Sequence, residues 1–411
     1  MKNISSLAFH RSSAVLRASL FGVLFLTSAV AGDWQIGVID PGIGGEYSSL
    51  RLDKYGNAHV AYADSVNANL KYAFWDHSLD KWFITTVDRT QGFCSLILDS
   101  HQYPHISYLD YGTGGIKYAY WNGATWQKQR IQIVAKQILF YTSIALAPGN
   151  LPHITYYEYE DAEGNQELHL RDVSWIGTQW EVRTVDPTPG SGKFNSIVAD
   201  SSGTLHVAYG NVKYEDASLR YATWNGRSWD VEILEGAGRP GTTMWSSTLV
   251  MDKLDRPHIA YTDVRNRVVK YATKPGEAWS TEVVDSLVKE GYPDRNGIAL
   301  DEAGNPYISY YDAGAGLLKM AHRVDGHWLV EVVDRNYAGF TNSLQIHGHT
   351  VWITYADERT KDLKFARRSI DVSPPLQQST QVIRERLPRS EKSDAGVFQK
   401  REGVYRNDRP R

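Results

Sequence analysis

The chain has 411 residues, more than one hydrophobic core usually serves, so it either divides into domains or forms a closed array of repeats. Hydrophobic residues make up 42% and charged residues 22%, which excludes a largely disordered chain, and the 25 Tyr, 13 Trp and 34 Gly favour short aromatic strands and tight turns over a helical bundle. The net charge is -3, but residues 1–31 hold three basic and no acidic residues and residues 373–411 hold nine and five, so the segment between them carries -10. That charge argues against sequence-independent binding of nucleic acid.

The first 31 residues have the pattern of an export signal. Three basic residues, the last of them Arg17, precede the apolar run ASLFGVLFLTSAVAG, in which small residues lead up to Ala31. We predict a signal peptide over residues 1–31, cleaved after Ala31, and a secreted or periplasmic mature protein. The run of about 15 residues is shorter than the roughly 20 that span a bilayer, so we expect no membrane insertion. A retained N-terminal helix is the alternative.

Residues 32–372 consist of seven internal repeats. A tryptophan recurs at intervals of 48, 44, 54, 49, 50 and 49 residues, and each copy contains four short runs such as YSSLRLD, AHVAYAD, LKYAFWD and KWFITTVD. A four-stranded antiparallel unit of this size cannot bury both faces alone, so seven units stacked radially predict an all-β, seven-bladed β-propeller, with strands ordered from inside to outside as in the sequence. The repeated residues are Trp34, Trp82, Trp126, Trp180, Trp229, Trp279 and Trp328.

The two ends of the repeat region complement each other. The first copy begins with DWQIGVID, which matches the last strand of a unit, whereas the seventh copy supplies TNSLQI, TVWITYAD and DLKFARR and then stops. We therefore predict that the N-terminal strand completes the last blade and closes the ring, which covers an edge that would otherwise be open to pairing.

One ring-bearing position recurs in the second strand of the repeat, and a tyrosine follows it three residues later in every copy. A polar ring that recurs and that other flat rings replace predicts packing between blades, with a ring nitrogen bonded to a hydroxyl or backbone group. Because the repeat spreads these rings around the circle, we predict neither a metal site nor a cofactor. The position holds His59, His105, His153, His206 and His258, then Tyr307 and Trp352.

Acidic residues open the turn that follows each second strand. Such side chains accept backbone N–H bonds and thereby form turns, which is the structural interpretation. The functional interpretation is that these turns share a rim with the connections between blades, where carboxylates would accept sugar hydroxyls. The residues are Asp64, Asp110, Asp263, Asp312 and Asp357, with Glu158 and Asn211 in the third and fourth copies.

The segments IKYAYWNGATW and GNPYISYYDAGAGLLKMA resemble secreted bacterial propeller repeats of the sialidase-like and lectin-like superfamily. The first is similar to the strand, Trp-Asn-Gly turn and strand of seven-bladed bacterial glycan-binding lectins. This resemblance spans residues 33–372 and implies a seven-bladed propeller with carbohydrate as its ligand. The sialidase Asp-box pattern, Ser-x-Asp-x-Gly-x-x-Trp, occurs in no copy, so the resemblance does not imply sialidase activity.

Large aromatic residues recur at or next to one register near the start of the innermost strand. Aromatic faces stack on sugar C–H groups, so this set predicts a carbohydrate site, and packing between blades is the alternative. Trp245 stands outside the tryptophan periodicity and is the strongest candidate. The predicted ligand-binding set is Tyr47, Phe93, Tyr141, Phe194, Trp245 and Phe340, together with Asp64, Asp110, Asp263, Asp312 and Asp357.

An enzymatic alternative rests on positions where the copies differ. Arg295 occupies the aromatic register in the sixth copy, and Tyr311 lies on the same predicted rim. An arginine that neutralises a uronate and a tyrosine that moves a proton would suit a polysaccharide lyase, with Arg265 from the fifth copy as a further member. Solvated arginines in loops are the structural alternative.

The remaining features are weaker. Acidic residues near Glu158 suggest a solvated loop rather than a calcium site, because their spacing does not match a calcium-binding loop. The single cysteine, Cys94, lies in an innermost strand and is expected to pack as a small apolar residue. Residues 373–411 are predicted to form a disordered basic tail. The sequence thus predicts an exported, monomeric propeller that binds a glycan or polysaccharide, with a carbohydrate-cleaving enzyme and a protein-binding scaffold as alternatives.

Overall fold

The computed structural model describes residues 33–90, 92–110, 115–131, 137–162, 165–213, 217–236, 244–288 and 296–370. Within these ranges the regular structure consists of 28 β-strands, and none of the residues forms an α-helix. The described residues accordingly contain no helix that is long and apolar enough to cross a bilayer. The predicted signal peptide and the predicted tail lie outside the described residues.

The strands form seven four-stranded antiparallel sheets, or blades, in a ring, which confirms the predicted fold. Blade 1 contains β2 (Glu46–Leu52), β3 (Ala58–Asp64), β4 (Asn69–Asp76) and β5 (Lys81–Asp88); blade 2 contains β6 (Cys94–Leu98), β7 (Pro104–Asp110), β8 (Gly115–Trp121) and β9 (Trp126–Ile131); blade 3 contains β10 (Gln137–Ala147), β11 (Leu151–Ala162), β12 (Asn165–Trp175) and β13 (Trp180–Asp186); blade 4 contains β14 (Ser191–Ala199), β15 (Leu205–Asn211), β16 (Ser218–Trp224) and β17 (Trp229–Glu235).

The last three blades follow the same order. Blade 5 contains β18 (Met244–Met251), β19 (Pro257–Asp263), β20 (Val268–Thr273) and β21 (Ser280–Ser286); blade 6 contains β22 (Gly297–Leu300), β23 (Pro306–Asp312), β24 (Leu317–Val324) and β25 (His327–Asp334); blade 7 contains β26 (Ala338–His347), β27 (Thr350–Asp357), β28 (Leu363–Ser369) and β1 (Gln35–Asp40).

The N-terminal strand closes the ring as predicted. β1 pairs antiparallel with β28, so that Gln35 lies opposite Arg367 and Gly37 opposite Phe365. A Cβ atom at Gly37 would lie 2.6 Å from the ring of Phe365, so this position needs glycine for the two strands to pair. The open edge of blade 7 is thereby covered by a strand from the other end of the repeat region.

The hydrophobic core lies between adjacent blades. The second strand of each blade is covered by a neighbour on both faces, which explains why runs such as AHVAYAD do not alternate between apolar and polar residues. The tyrosine that recurs in this strand is 0–1% exposed in every copy. These residues are Tyr62, Tyr108, Tyr156, Tyr209, Tyr261, Tyr310 and Tyr355.

The innermost strands are joined around the axis by serine hydroxyls. The backbone N–H of Leu96 donates to Oγ of Ser49 in the preceding blade over 3.0 Å, and Leu50 donates to Ser343 over 3.1 Å across the closure. The same bond links Ile144 to Ser95, Ile197 to Ser143 and Leu249 to Ser196. A small hydroxyl residue at this register therefore satisfies inner-strand donors that have no neighbouring strand to pair with.

Because the strands of a blade alternate in direction, the loops that join them lie on two opposite faces of the propeller. The connection face, as we call it, holds the connections between blades and the turns between second and third strands, for example residues 41–45 and 65–68. The opposite face holds the other turns. The predicted acidic turns and the starts of the innermost strands therefore lie on the connection face, as the sequence predicted.

Candidate functional site

The predicted aromatic residues form a continuous arc around the connection-face end of the axis. Ring centroids are 3.9 Å apart for Tyr47 and Phe93, 4.6 Å for Phe93 and Tyr141, 4.3 Å for Tyr141 and Phe194, and 5.0 Å for Phe194 and Trp245. The three middle rings are buried, whereas Tyr47 and Trp245 at the ends are half-buried. The arc is therefore chiefly packing between blades, and its ends are the parts that reach solvent.

The backbone explains why the arc stops at blade 5. Tyr47, Tyr141 and Phe194 adopt positive φ angles of 54–62°, each three residues before the inner-strand residue whose N–H donates to a serine of the preceding blade. In blade 5 Ser246, three residues before Leu249, holds that place with φ 62°. Trp245 comes one residue earlier. Phe340 is likewise displaced by one residue in blade 7, where Thr341 has the positive φ of 49°, and Phe340 is half-buried.

A cavity of about 430 Å³ runs along the axis and is lined by the innermost strands of all seven blades. Its wall is polar at the connection-face end, where Asn195, Ser246, Asn296 and Asn342 contribute to it, and becomes apolar further along, at Ile197 and related residues. The size lies within the roughly 300–1,000 Å³ of small-molecule sites.

Two buried polar atoms on this wall have no hydrogen-bond partner among the described residues. They are Oγ of Ser246 and Oδ1 of Asn296, in residues that are each 1% exposed. The Asn296 amide is oriented by its other end, because Nδ2 donates to Oγ1 of Thr262 over 2.9 Å. Thr262 pairs across the sheet with Trp245. Ser246, Asn296 and Trp245 thus form one corner of the cavity mouth, which we call the blade 5–6 corner.

A cation lies at the same corner. Nζ of Lys193 is 4.0 Å from the centroid of the Trp245 ring and 5.2 Å from that of Phe194. A lysine at this distance from an indole face is held by the ring's quadrupole. The corner therefore combines an aromatic ring, a positive charge and two unpaired polar atoms.

The predicted acidic ligands form connections between blades. Lys71 lies between two carboxylates, with Nζ 2.9 Å from Asp40 and 3.1 Å from Asp64, and Asp40 also accepts a hydrogen bond of 2.8 Å from the hydroxyl of Tyr62. Asp40 ends the outer strand of one blade, whereas the other three residues belong to the next. We call this arrangement of tyrosine, cation and acids the blade clamp.

The clamp recurs around the ring. An acid at the end of the preceding outer strand accepts from the recurrent tyrosine and a cation at six junctions of the described structure. The acid, tyrosine and cation are Asp40, Tyr62 and Lys71; Asp88, Tyr108 and Lys117; Asp186, Tyr209 and Arg220; Glu235, Tyr261 and Lys270; Asp285, Tyr310 and Lys319; and Asp334, Tyr355 and Lys364.

The turn acids complete most of these clamps. Burial raises the pKa of Asp64, but hydrogen bonds from Asn67 and the charge of Lys71 outweigh it, so the pKa lies below its usual value. Asp110, Asp312 and Asp357 pair with their clamp lysines in the same way, and Asp263 accepts from Asn266. All five are at most 8% exposed. Their carboxylates already accept bonds from the protein, as the structural interpretation of these turns predicts.

Blade 3 departs from this pattern. Glu158 pairs with Arg171 over 2.6 Å, but the hydroxyl of Tyr156 is buried without a partner among the described residues. The preceding outer strand ends at Ile131 instead of an acid. The side chains of the acidic residues that follow Glu158 lie outside the described part of the structure. Among the described residues, no three His, Cys, Asp or Glu side chains come together as metal ligands would.

The recurrent histidines are bonded as predicted. Nδ1 of His59 lies 2.6 Å from the hydroxyl of Tyr72, and Nδ1 of His206 lies 2.7 Å from that of Tyr221. The other ring nitrogen faces an aspartate at the end of the inner strand, at 3.1 Å for His206 and Asp200. These histidines therefore connect strands within a blade. Cys94 is fully buried, also as predicted.

The structure describes two of the three residues predicted for a lyase. Tyr311 is 4% exposed, and its hydroxyl donates to Glu358 over 3.1 Å. Burial and the negative charge of Glu358 both raise the pKa of Tyr311, which opposes a role as a base near neutral pH. Arg265 is exposed in the β19–β20 turn on the connection face. Arg295 lies outside the described residues.

The fold resembles those of carbohydrate-active and other enzymes of known structure. No family model and no curated protein matches the chain. An ulvan lyase superimposes with a TM-score of 0.55 at 12% identity, covering 80% of this chain and 94% of the other. An α-L-arabinanase of Penicillium chrysogenum in complex with arabinobiose gives 0.50 at 10% identity, with coverage of 81% and 97%. A puromycin-hydrolyzing peptidase of Mycobacterium tuberculosis gives 0.52 at 11% identity, with coverage of 84% and 57%. At such identities the likeness is one of fold.

The clamp predicts a specific stability defect. Lys71→Met removes the cation between Asp40 and Asp64 and leaves two largely buried carboxylates facing each other. We expect the free energy of unfolding, measured by urea denaturation at pH 7, to fall by about 2–3 kcal/mol. Lys81→Met, at an exposed position of β5, is the control and should change it by less than about 0.5 kcal/mol. Equal effects of the two substitutions would contradict the clamp.

Proposed function

We propose that the protein binds carbohydrate at the connection-face end of the axial cavity, at the blade 5–6 corner. The observation that carries this proposal is the pair of unpaired polar atoms, Oγ of Ser246 and Oδ1 of Asn296. Buried polar groups are nearly always hydrogen-bonded, so two unsatisfied ones on the wall of one cavity indicate that something polar from outside bonds to them.

The chemistry of the corner suits a sugar. A hydroxyl-rich ligand both donates and accepts, so it satisfies the amide oxygen of Asn296 and the hydroxyl of Ser246 together. Trp245 at the same corner offers a partly exposed ring for the apolar face of a pyranose. The arabinanase and the ulvan lyase are carbohydrate-active proteins with this fold, and this supports the same class of ligand here.

Binding without catalysis agrees better with the geometry than lyase chemistry does. A lyase needs a base that takes a proton from the sugar ring. The proposed base, Tyr311, is buried and hydrogen-bonded to Glu358, and both features raise its pKa. The blade 5–6 corner offers hydrogen bonds and a ring face, which are the means of recognition. A lectin-like role is therefore the proposal, with cleavage of polysaccharide and binding of protein as its competitors.

Export is part of the proposed function, since a glycan-binding protein of this kind would meet its ligand outside the cytoplasm. N-terminal sequencing of the protein recovered from the periplasm or medium should give a mature chain that begins at Gly32, after removal of residues 1–31. A recovered chain that still begins with the apolar run would contradict cleavage after Ala31.

The binding site is tested by Ser246→Ala. Removing an unpaired buried hydroxyl should leave thermal stability unchanged or slightly higher, because no protein hydrogen bond is lost. Affinity for the bound glycan should fall about fivefold to tenfold, the value of one hydrogen bond. Affinity electrophoresis in gels that contain the polysaccharides found on a glycan array measures this.

Ser78→Ala, in an exposed turn on the opposite face, is the matched control and should bind like the wild type. Failure of the wild type to retain any glycan at millimolar concentration would reject the proposal. Shortening of the retained polysaccharide during the assay would favour the enzymatic alternative, and unchanged affinity of Ser246→Ala would place the glycan elsewhere.

A further inference from the structure

A tyrosine on the connection face occupies a position that elsewhere in the ring holds glycine. Tyr337 lies in the connection from blade 6 to blade 7, and its carbonyl accepts from the N–H of Glu358. In blade 4 the carbonyl of Gly190 accepts from the N–H of Val212 in the same way. Ser191 follows Gly190 and Ala338 follows Tyr337, and they pair with Asn211 and Asp357, the last residues of their second strands. Gly190 has φ 87° and Tyr337 has φ 55°, so both backbones are left-handed.

The left-handed conformation has a cost for tyrosine that glycine does not carry. A residue with a Cβ atom loses about 1 kcal/mol or more in this region, and such conformations persist where they serve a purpose. The ring is not held in the core, because Tyr337 is 47% exposed. Packing between blades therefore does not account for the side chain.

What the ring does is hold an arginine. Cζ of Arg359 lies 4.3 Å from the centroid of the Tyr337 ring, and the ring also packs closely against Gly316, where a Cβ would come within 2.9 Å of it. The neighbouring Glu358 is exposed and accepts a hydrogen bond from the hydroxyl of Tyr311. Arg359 makes no ion pair with any described residue, and neither does Arg335, two positions before Tyr337.

An arginine held over an aromatic ring, with no carboxylate of the described residues paired to it, has its donors available for a ligand. A guanidinium presents a planar fork of N–H donors that matches a carboxylate or a sulfate, and holding it in place beforehand lowers the entropy lost on binding. An exposed tyrosine on the opposite face, Tyr55, has the flexible Lys54 over its ring at 5.0 Å.

We infer that the ligand is an acidic glycan, whose carboxylate or sulfate groups are bound by Arg359 on its Tyr337 support. This rests on the proposed carbohydrate binding and names the class of carbohydrate. A second cation of the same face, Lys193, lies over Trp245 at the blade 5–6 corner. The total charge of the propeller does not oppose this, because cations neutralise the acids of the blade clamps on this face.

The test compares three probes by affinity electrophoresis at two salt concentrations: polygalacturonate for carboxylate, chondroitin sulfate for sulfate, and neutral dextran. We expect the wild type to bind at least one acidic polysaccharide at least tenfold more tightly than dextran, with weaker binding at high salt. Arg359→Ala should lose at least fivefold toward that acidic probe and nothing toward dextran. Preference for one of the two acidic probes identifies the anion.

Tyr337→Gly separates recognition from folding. The substitution introduces the residue that blade 4 has at this position, so we expect the melting temperature to stay within about 3 °C while the affinity for the acidic probe falls at least fivefold. Tyr55→Ala is the matched control, since it removes an exposed tyrosine beneath a cation on the other face, and its binding should equal that of the wild type.

The outcomes are distinct. Equal affinity for acidic and neutral polysaccharides, or wild-type affinity in both Arg359→Ala and Tyr337→Gly, would overturn the acidic-glycan inference and leave carbohydrate binding standing. Retention of no polysaccharide would overturn both. Binding of single-stranded oligothymidine as tightly as the acidic polysaccharides would also overturn the inference, because the face would then recognise phosphate charge and not a sugar.

Discussion

The carboxylate at the end of an outer strand is the group on which the ring depends. At six junctions of the described structure it reaches the tyrosine and the cation of the next blade, so a charged connection joins those neighbours in addition to apolar packing. Asp40 makes this connection between the two ends of the repeat region, where it reaches Tyr62 and Lys71 from the strand that completes blade 7. Removing one charged side chain from such a cluster lowers the free energy of unfolding by more than the ion pair itself contributes, because the remaining charges stay buried.

The same connection makes an acidic propeller compatible with the anion-binding face that we infer. Residues Asp64, Asp312 and Asp357 are buried, and lysines of the third strands neutralise them. What remains at the surface of the connection face includes Arg335 and Arg359. Net charge describes the behaviour of a whole molecule in solution and does not give the field at one site.

Much of the fold could be predicted from the sequence because the repeat is long and regular. The tryptophan spacing gave the number of blades, and the mismatch between DWQIGVID and the truncated seventh copy gave the closure. The role of the histidines was also predictable, since a recurrent polar ring must find recurrent partners, which are Tyr72 and its equivalents. These features repeat, so each copy supports the others.

The site was harder to predict because its features do not repeat. Trp245 drew attention as an irregular residue, but the positive φ that moves it out of the register belongs to Ser246 and has no sequence pattern of its own. Tyr337 lies in a connection of variable length, where the repeats cannot be aligned without the structure. The clamp also has a signal in the sequence: lysine recurs beside the third-strand tyrosine, as at Lys71, Lys117 and Lys270.

The central claim is that ligand binds on the connection face. Amide hydrogen exchange of the full-length protein, with and without saturating acidic oligosaccharide, tests it most directly because every face is observed in one experiment. We expect slower exchange in residues 244–248, 334–338 and 357–361, and unchanged exchange in the opposite-face turns at 53–57 and 252–256. Slower exchange confined to those opposite-face turns would contradict the account.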